Sequence, residues 1–283
     1  MVASKFLKAS AGAAAIARRA GWSPKPIYPS AAIAAAYDKR LMRLVNAMQR
    51  DTVKTLTAAY KTSPPEQLLL VAQDASPASI LRAAMRKLAA RWSKQFDELA
   101  PKLAEYFATS VKDRNDRQLR QDLRKGGFTV RFKMTRAMND AYQAVIGENV
   151  GLISSIPEQF MTGVQTAVMQ SVQTGRDLGS LAKTLEQRYG ITRRRAATIS
   201  RDQNNKATAV FARTRYLELG VTRAFWLHSA GGKTPRPEHV KFSGETFDVA
   251  KGHDFKNGEG IVWPGTAINC RCVMKPVIPG WDD

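Results

Sequence analysis

Apolar residues in the first two thirds of the chain recur at three- and four-residue steps, a spacing that predicts long amphipathic helices. Ile33, Tyr37, Leu41, Leu44, Val45 and Met48 set such a stripe from Ala31 onward, and Ser63-Pro64-Pro65 should end it. A second helix is expected to begin at Ser76-Pro77, a capping residue followed by proline at the first helical position. Its stripe runs through Leu81, Met85, Leu88, Trp92, Phe96, Leu99, Leu103 and Phe107, with a kink expected at Pro101 and a stop at Gly126-Gly127. Ile156-Pro157 should open a helix carrying Phe160, Val164, Val168 and Val172, closed by Gly175. Asp177 should cap the next, ending at Tyr189-Gly190, and Thr192 a last one reaching Leu219-Gly220. On this reading Arg193, Arg194 and Arg195 occupy a first helical turn, where the macrodipole disfavours cations and an external anion or acidic partner would relieve the cost.

After Gly220 the period changes. Val221 to His228 alternates Arg223, Phe225 and Leu227 against Ala224, Trp226 and His228, as a strand does. Short strands are expected at 245–249, 260–263 and 270–275 among glycines and prolines. The fold class is therefore α+β: a long, mostly helical N-terminal region followed by a small C-terminal module with short antiparallel strands. Three divisions are expected. Residues 1–30 form a basic, flexible arm with a Pro-rich linker, 31–191 a basic helical region, and 192–283 the compact α+β module.

Composition narrows the function classes. The 283 residues are 44% hydrophobic, enough to fill real cores, which excludes wholesale disorder. Two cysteines exclude a disulfide scaffold and suit a reducing compartment. No apolar run approaches the roughly 18 residues of a membrane span, so a soluble protein with no membrane partner is expected. Lys5 and Lys8 precede Ala-rich sequence, but that stretch is poor in Leu and Val and meets Arg18-Arg19, which argues against a secretory signal. The formal net charge is +20, and it is unevenly placed: residues 1–201 hold 33 basic and 15 acidic side chains, residues 202–283 hold 11 and 9. Arg114, Arg117, Arg120, Arg124 and Lys125, with Arg193, Arg194 and Arg195, are the candidates for contact with nucleic acid or another polyanion. The alternative is a solvated helix face that only aids solubility.

All three histidines and both cysteines lie in the nearly neutral C-terminal stretch. In an extended segment Cys270 and Cys272 project to one side with Arg271 opposite, and a disulfide between residues two apart is strained. Two thiolates with His228 and His239 would satisfy a tetrahedral zinc ion, which would staple a loop-rich module. Against this, C-x-C lacks the usual C-x2-C spacing, and buried core His and Cys are the commoner outcome. No other cofactor is expected. An enzymatic alternative, a metal-dependent nuclease or hydrolase, would use His239 as general base and Asn269 through Cys272 around it. It lacks a histidine after Asn269 and a carboxylate pair for magnesium, since Asp248, Asp254 and Glu259 have no diagnostic spacing. Gly231-Gly232-Lys233-Thr234 lacks the earlier glycine of a phosphate-binding loop.

One set of residues together carries a resemblance. Arg194-Arg195-Ala196, Ile199-Ser200-Arg201-Asp202-Gln203, Asn205-Lys206-Ala207, Gly220 and Trp226 are followed by Pro235-Arg236-Pro237-Glu238-His239 and Ser243-Gly244-Glu245-Thr246-Phe247. Pro264-Gly265 and Asn269-Cys270-Arg271-Cys272 close the series. It resembles the phage Mu F-like minor head protein family, also called the phage head morphogenesis family, most strongly over 180–278. Two departures stand out: Arg201-Asp202-Gln203 replaces a common R-T-E, and the loop at 231–237 lacks the usual Asp. The resemblance implies a minor structural head protein of a tailed bacteriophage or prophage, not an enzyme. It would be made in the host cytoplasm and placed in the procapsid interior or at the portal vertex. Partners so implied are the portal protein, a scaffold or major capsid protein, and packaged DNA touched without sequence specificity during packaging or ejection. Some relatives carry a toxin domain after this module, and none is expected before Asp283. Arg201, Asp202, Arg236, His239, Asn269 and Arg271 would form either a binding site or, as expected here, an internal polar network holding the loops.

Overall fold

The computed structural model describes residues 8–9, 17, 21–62, 77–174, 178–231, 234–278 and 281. Strand β1 (Lys8–Ala9) is followed by helices α1 (Ala31–Thr62) and α2 (Pro77–Lys125), strand β2 (Phe128–Thr129), and helices α3 (Arg136–Gln173) and α4 (Leu178–Glu218). Then come β3 (Arg223–Leu227), the five-residue α5 (Pro237–Lys241), β4 (Thr246–Asp248), β5 (His253–Asp254), β6 (Ile261–Val262) and β7 (Val273–Pro276). The chain is a mostly helical N-terminal region followed by a C-terminal region of small antiparallel sheets, the α+β class expected. None of its described helices is long and apolar enough to cross a membrane.

The helices are fewer and longer than the glycines and prolines suggested. Helix α3 starts at Arg136, well before Pro157, where the Thr135 hydroxyl accepts the backbone N–H of Met138 as an N-cap, and continues through that proline. Helix α4 likewise passes through Gly190. There Thr192 does not cap; its hydroxyl donates to the Arg188 carbonyl one turn back. Buried apolar residues on both sides of each interruption, Ile153, Ile156, Phe160 and Leu185, Ala196, Ile199, hold the helix through it. Packing here outweighs the propensity loss of about 1 kcal/mol at a glycine and about 3 at a proline. Arg193 to Arg195 consequently sit mid-helix, and the unfavourable macrodipole position inferred for them is corrected. The closures expected at Ser63-Pro64-Pro65 and Gly175, and the caps at Ser76 and Asp177, lie outside the described residues. Gly126-Gly127 and Gly220 do end α2 and α4; Gly220 adopts φ 79° and Val221 N–H returns to the Tyr216 carbonyl.

The chain forms two compact units, and α2, α3 and α4 each contribute to both. One comprises residues 35–104 and 147–200, and the elements described in it are all helices. Its buried stripe includes Tyr37, Leu41, Val45 and Met48 from α1, Leu81, Leu88 and Phe96 from α2, and Phe160, Val164 and Val168 from α3. Polar ties run from α1 to each neighbour. Tyr37 donates to Asn149 at 2.9 Å and Tyr60 to Ser171 at 2.9 Å; Asp51 accepts the Trp92 indole at 2.7 Å and Asn46 the Tyr189 hydroxyl at 2.7 Å.

The other unit gathers residues 1–34, 105–146 and 201–283. Its core joins Leu119 and Leu123 of α2, Ala212 and Tyr216 of α4, and Trp226, Phe247 and Met274 of the sheet β4-β3-β7, antiparallel throughout. Residues 22–30 form neither helix nor strand, as prolines that disfavour helix lead one to expect, and they are docked. Ile27 enters the core, the Tyr28 carbonyl accepts Arg114, and Asp122 accepts the Lys25 N–H at 2.7 Å. Trp22 lies on Gly126 so closely that a Cβ there would meet the indole at 2.6 Å. The Lys112 to Arg136 basic stretch therefore shares a core with the C-terminal sheets. This unit holds 26 basic and 14 acidic residues and the helical unit 18 and 10, so both are cationic.

Candidate functional site

The loop before β7 is fixed from four directions. Asp202, on α4, accepts the backbone N–H of Asn269 at 2.6 Å, and Asn205, nearly one turn on, donates to the Cys270 carbonyl at 3.1 Å. Arg236, at the start of α5, donates Nε to Glu259 at 2.9 Å and both terminal nitrogens to the Ile268 carbonyl at 3.2 Å. Arg271 donates to the Gly231 carbonyl. Asn269 takes a left-handed φ of 60°, which Asn tolerates better than most side chains. Gly265 brings the turn so near that a Cβ would lie 3.0 Å from the Cys272 carbonyl oxygen.

This tethering turns both thiols inward. Cys270 and Cys272 are buried while Arg271 between them faces out, the alternation of an extended chain, although β7 itself begins at Val273. His239, on α5, is 2% exposed and presents Nδ1 to both sulfurs, 3.6 Å from Cys270 and 3.7 Å from Cys272. His228, one residue past β3, lies with Nδ1 3.6 Å from the Cys272 sulfur, and its backbone N–H donates to the Ser243 hydroxyl. His253 stacks on Phe242 at 4.0 Å. The aromatic wall of the cluster is Trp226, fully buried in β3, with Phe255 4.8 Å and Trp226 4.9 Å from the His239 ring. Both thiols are free of disulfide. They share their protons unequally: Cys270 is pushed down to about 5, chiefly by hydrogen bonding to Cys272 and then by backbone N–H groups of Cys272 and Gly265. Cys272 is pushed up by the same partner and by burial.

Sequence reasoning placed Asp202, Arg236, His239, Asn269 and Arg271 together, and the structure shows the atoms each engages. Arg201 is exposed on α4. Sequence reasoning quoted Asn205 only within the resemblance and weighed Glu259 only as a magnesium ligand, although both are tethers, and it missed helix α5, too short to show periodicity. It also missed Arg215, buried in the last turn of α4 and paired bidentately with Asp116 at 2.8 Å. An arginine beside the apolar stripe Ala212, Tyr216, Leu219 was the available signal.

The basic candidates divide by their engagement. Arg117, Arg120, Arg124 and Lys125 are exposed on the last turns of α2, whereas Arg114 is spent on the Tyr28 carbonyl and Gln118. In the helical unit Arg193 lies over the Tyr189 ring at 5.5 Å, Arg194 is exposed, and Arg195 donates to Ser155 at 2.9 Å.

Fold and site together define a helical protein whose C-terminal sheets are organised around an inward Cys/His cluster and an arginine-tethered loop. Residues 162–275, which contain the whole of that cluster, match the model of a family described as Phage Mu protein F like protein. An uncharacterized protein of Haemophilus influenzae is 25% identical over 258 residues, covering 90% of this chain and 55% of its own length. The chain thus spans about half of that relative. No solved structure matches.

Proposed function

We propose that this chain is a minor structural head protein of a tailed bacteriophage or prophage, acting in procapsid assembly at the portal vertex. The observation that carries the reading is the Mu F-like domain at 162–275, whose family is one of phage head morphogenesis. In this account the stretch 192–283 folds and docks. The exposed arginines at the end of α2 face an acidic surface of portal or scaffold, or the packaged DNA, held through phosphates and without base readout. The role is structural rather than catalytic. His239, on which a nuclease reading would turn, is buried between aromatic rings against two sulfurs, a setting that gives a phosphodiester no approach.

Disrupting the coding sequence in a prophage that carries it tests this. The expected result is a collapse in infectious particles with aberrant or empty heads and normal tails, restored by supplying the chain in trans. Unchanged yield and head morphology would overturn the proposal.

A further inference from the structure

We infer that Cys270, Cys272 and His239, completed by His228, form a structural zinc site that staples the C-terminal sheets. The ligand atoms of the first three all lie within 4.8 Å of one another. The three sulfur-to-nitrogen separations, 3.6, 3.7 and 3.6 Å, are those of a tetrahedral ion: Zn–S near 2.3 Å and Zn–N near 2.0 Å put S and N about 3.5 Å apart. Protons serve these contacts only in one arrangement of tautomers, with one imidazole donating Nδ1–H to the Cys272 sulfur while the Cys272 S–H goes to the other, whereas a cation at the centre satisfies all three approaches at once. The charges balance as well. Two thiolates, two neutral imidazoles and Zn²⁺ sum to zero, which suits a buried position.

The fold gives such an ion work to do. The sheets here have strands of two to five residues. His228 follows β3, His239 sits on α5 and the cysteines precede β7, so one ion ties three segments that short ladders hold weakly. Backbone N–H groups of Gly265 and Cys272 act on Cys270, and those of Ser229 on Cys272, an outer shell of the kind that steadies metal thiolates. His228 is half-buried and approaches through Cys272, outside the tight trio, so as fourth ligand its ring would have to turn toward the other two. The other cluster near His239, with Glu238 and Glu259, is already committed, to Asn257 at 2.8 Å and Arg236 at 2.9 Å.

The test uses the full chain, purified under reducing conditions after growth with zinc and then dialysed. One zinc per chain is expected, falling to none in Cys270→Ser and Cys272→Ser and becoming removable by dialysis in His228→Ala. Adding Co²⁺ to the chelator-stripped wild type is a readout independent of whether variants fold: it should give the intense visible bands and thiolate charge-transfer absorption of tetrahedral cobalt. Thiol reagent should count two reactive cysteines without metal and none with zinc. Wild type holding no stoichiometric zinc and giving no thiolate–cobalt absorption overturns the inference, as does stoichiometric zinc retained by both serine variants.

Discussion

Arg215→Met is expected to destabilise the unit that contains it by about 3–5 kcal/mol, the range for breaking a buried ion pair from one side. Arg215 is 2% exposed and uses its guanidinium fully: Nε and one terminal nitrogen bind the two Asp116 oxygens at 2.8 Å, and the other binds Glu218 at 2.7 Å and the Lys133 carbonyl at 2.9 Å. Phe132 lies beneath, 4.8 Å from the guanidinium carbon. Methionine keeps the stem's packing but leaves two carboxylates, largely desolvated, with no cation between them. The network joins α2 to α4 across 99 residues of sequence and reaches the connection before α3, so its loss should loosen all three. Urea unfolding of the full chain measures the effect. The double variant Arg215→Met with Asp116→Leu should recover part of the loss, because it removes one of the two stranded carboxylates and leaves that of Glu218. A single-variant loss below about 1 kcal/mol would place the pair in the surface class instead.

Replacing Arg117, Arg120 and Arg124 with alanine is expected to flatten the salt dependence of binding to duplex DNA. These side chains stand at steps of three and four on one face of α2 and are exposed. Three lost phosphate contacts should reduce the slope of log affinity against log salt by about 2.7, which is roughly a 40-fold smaller loss of affinity over a fourfold rise in salt. Arg114→Ala is the internal control. Its guanidinium is occupied by the Tyr28 carbonyl at 2.7 Å and Gln118 at 2.9 Å, so this change should affect stability and leave the slope nearly unaltered. A triple variant with the wild-type slope would remove DNA from the proposed partners of this face.

How much of this was legible in the sequence depended on whether a local or a distant cause decided each element. The apolar stripes of α1 and α2 and the alternation of β3 report burial directly, so periodicity found them. Pro157 and Gly190 misled because each lies inside a helix whose flanks are buried, and distant packing outweighed a local preference. Helix α5 and strand β5, of five and two residues, are too short to display any period. Residue chemistry identified the Cys/His set, and the C-x-C spacing correctly turned both thiols one way. Their approach to His239, 31 and 33 residues away, follows from tethers such as Asp202 to Asn269 and Arg236 to Ile268 that no spacing rule encodes. Charge placement was read along the chain as a basic front and a neutral end. Folding interleaves them, since the basic end of α2 shares its core with the C-terminal sheets.

The central claim, a minor head protein, is tested most directly by the protein composition of heads. Particles purified from an induced culture of a phage or prophage that carries this chain would be separated into procapsids, filled heads and tails, and quantified by mass spectrometry against the portal and major capsid proteins. The account predicts the chain in procapsids and heads, in far fewer copies than the major capsid protein, and absent from tails. Its absence from every head fraction, while abundant in the lysate, would contradict the account.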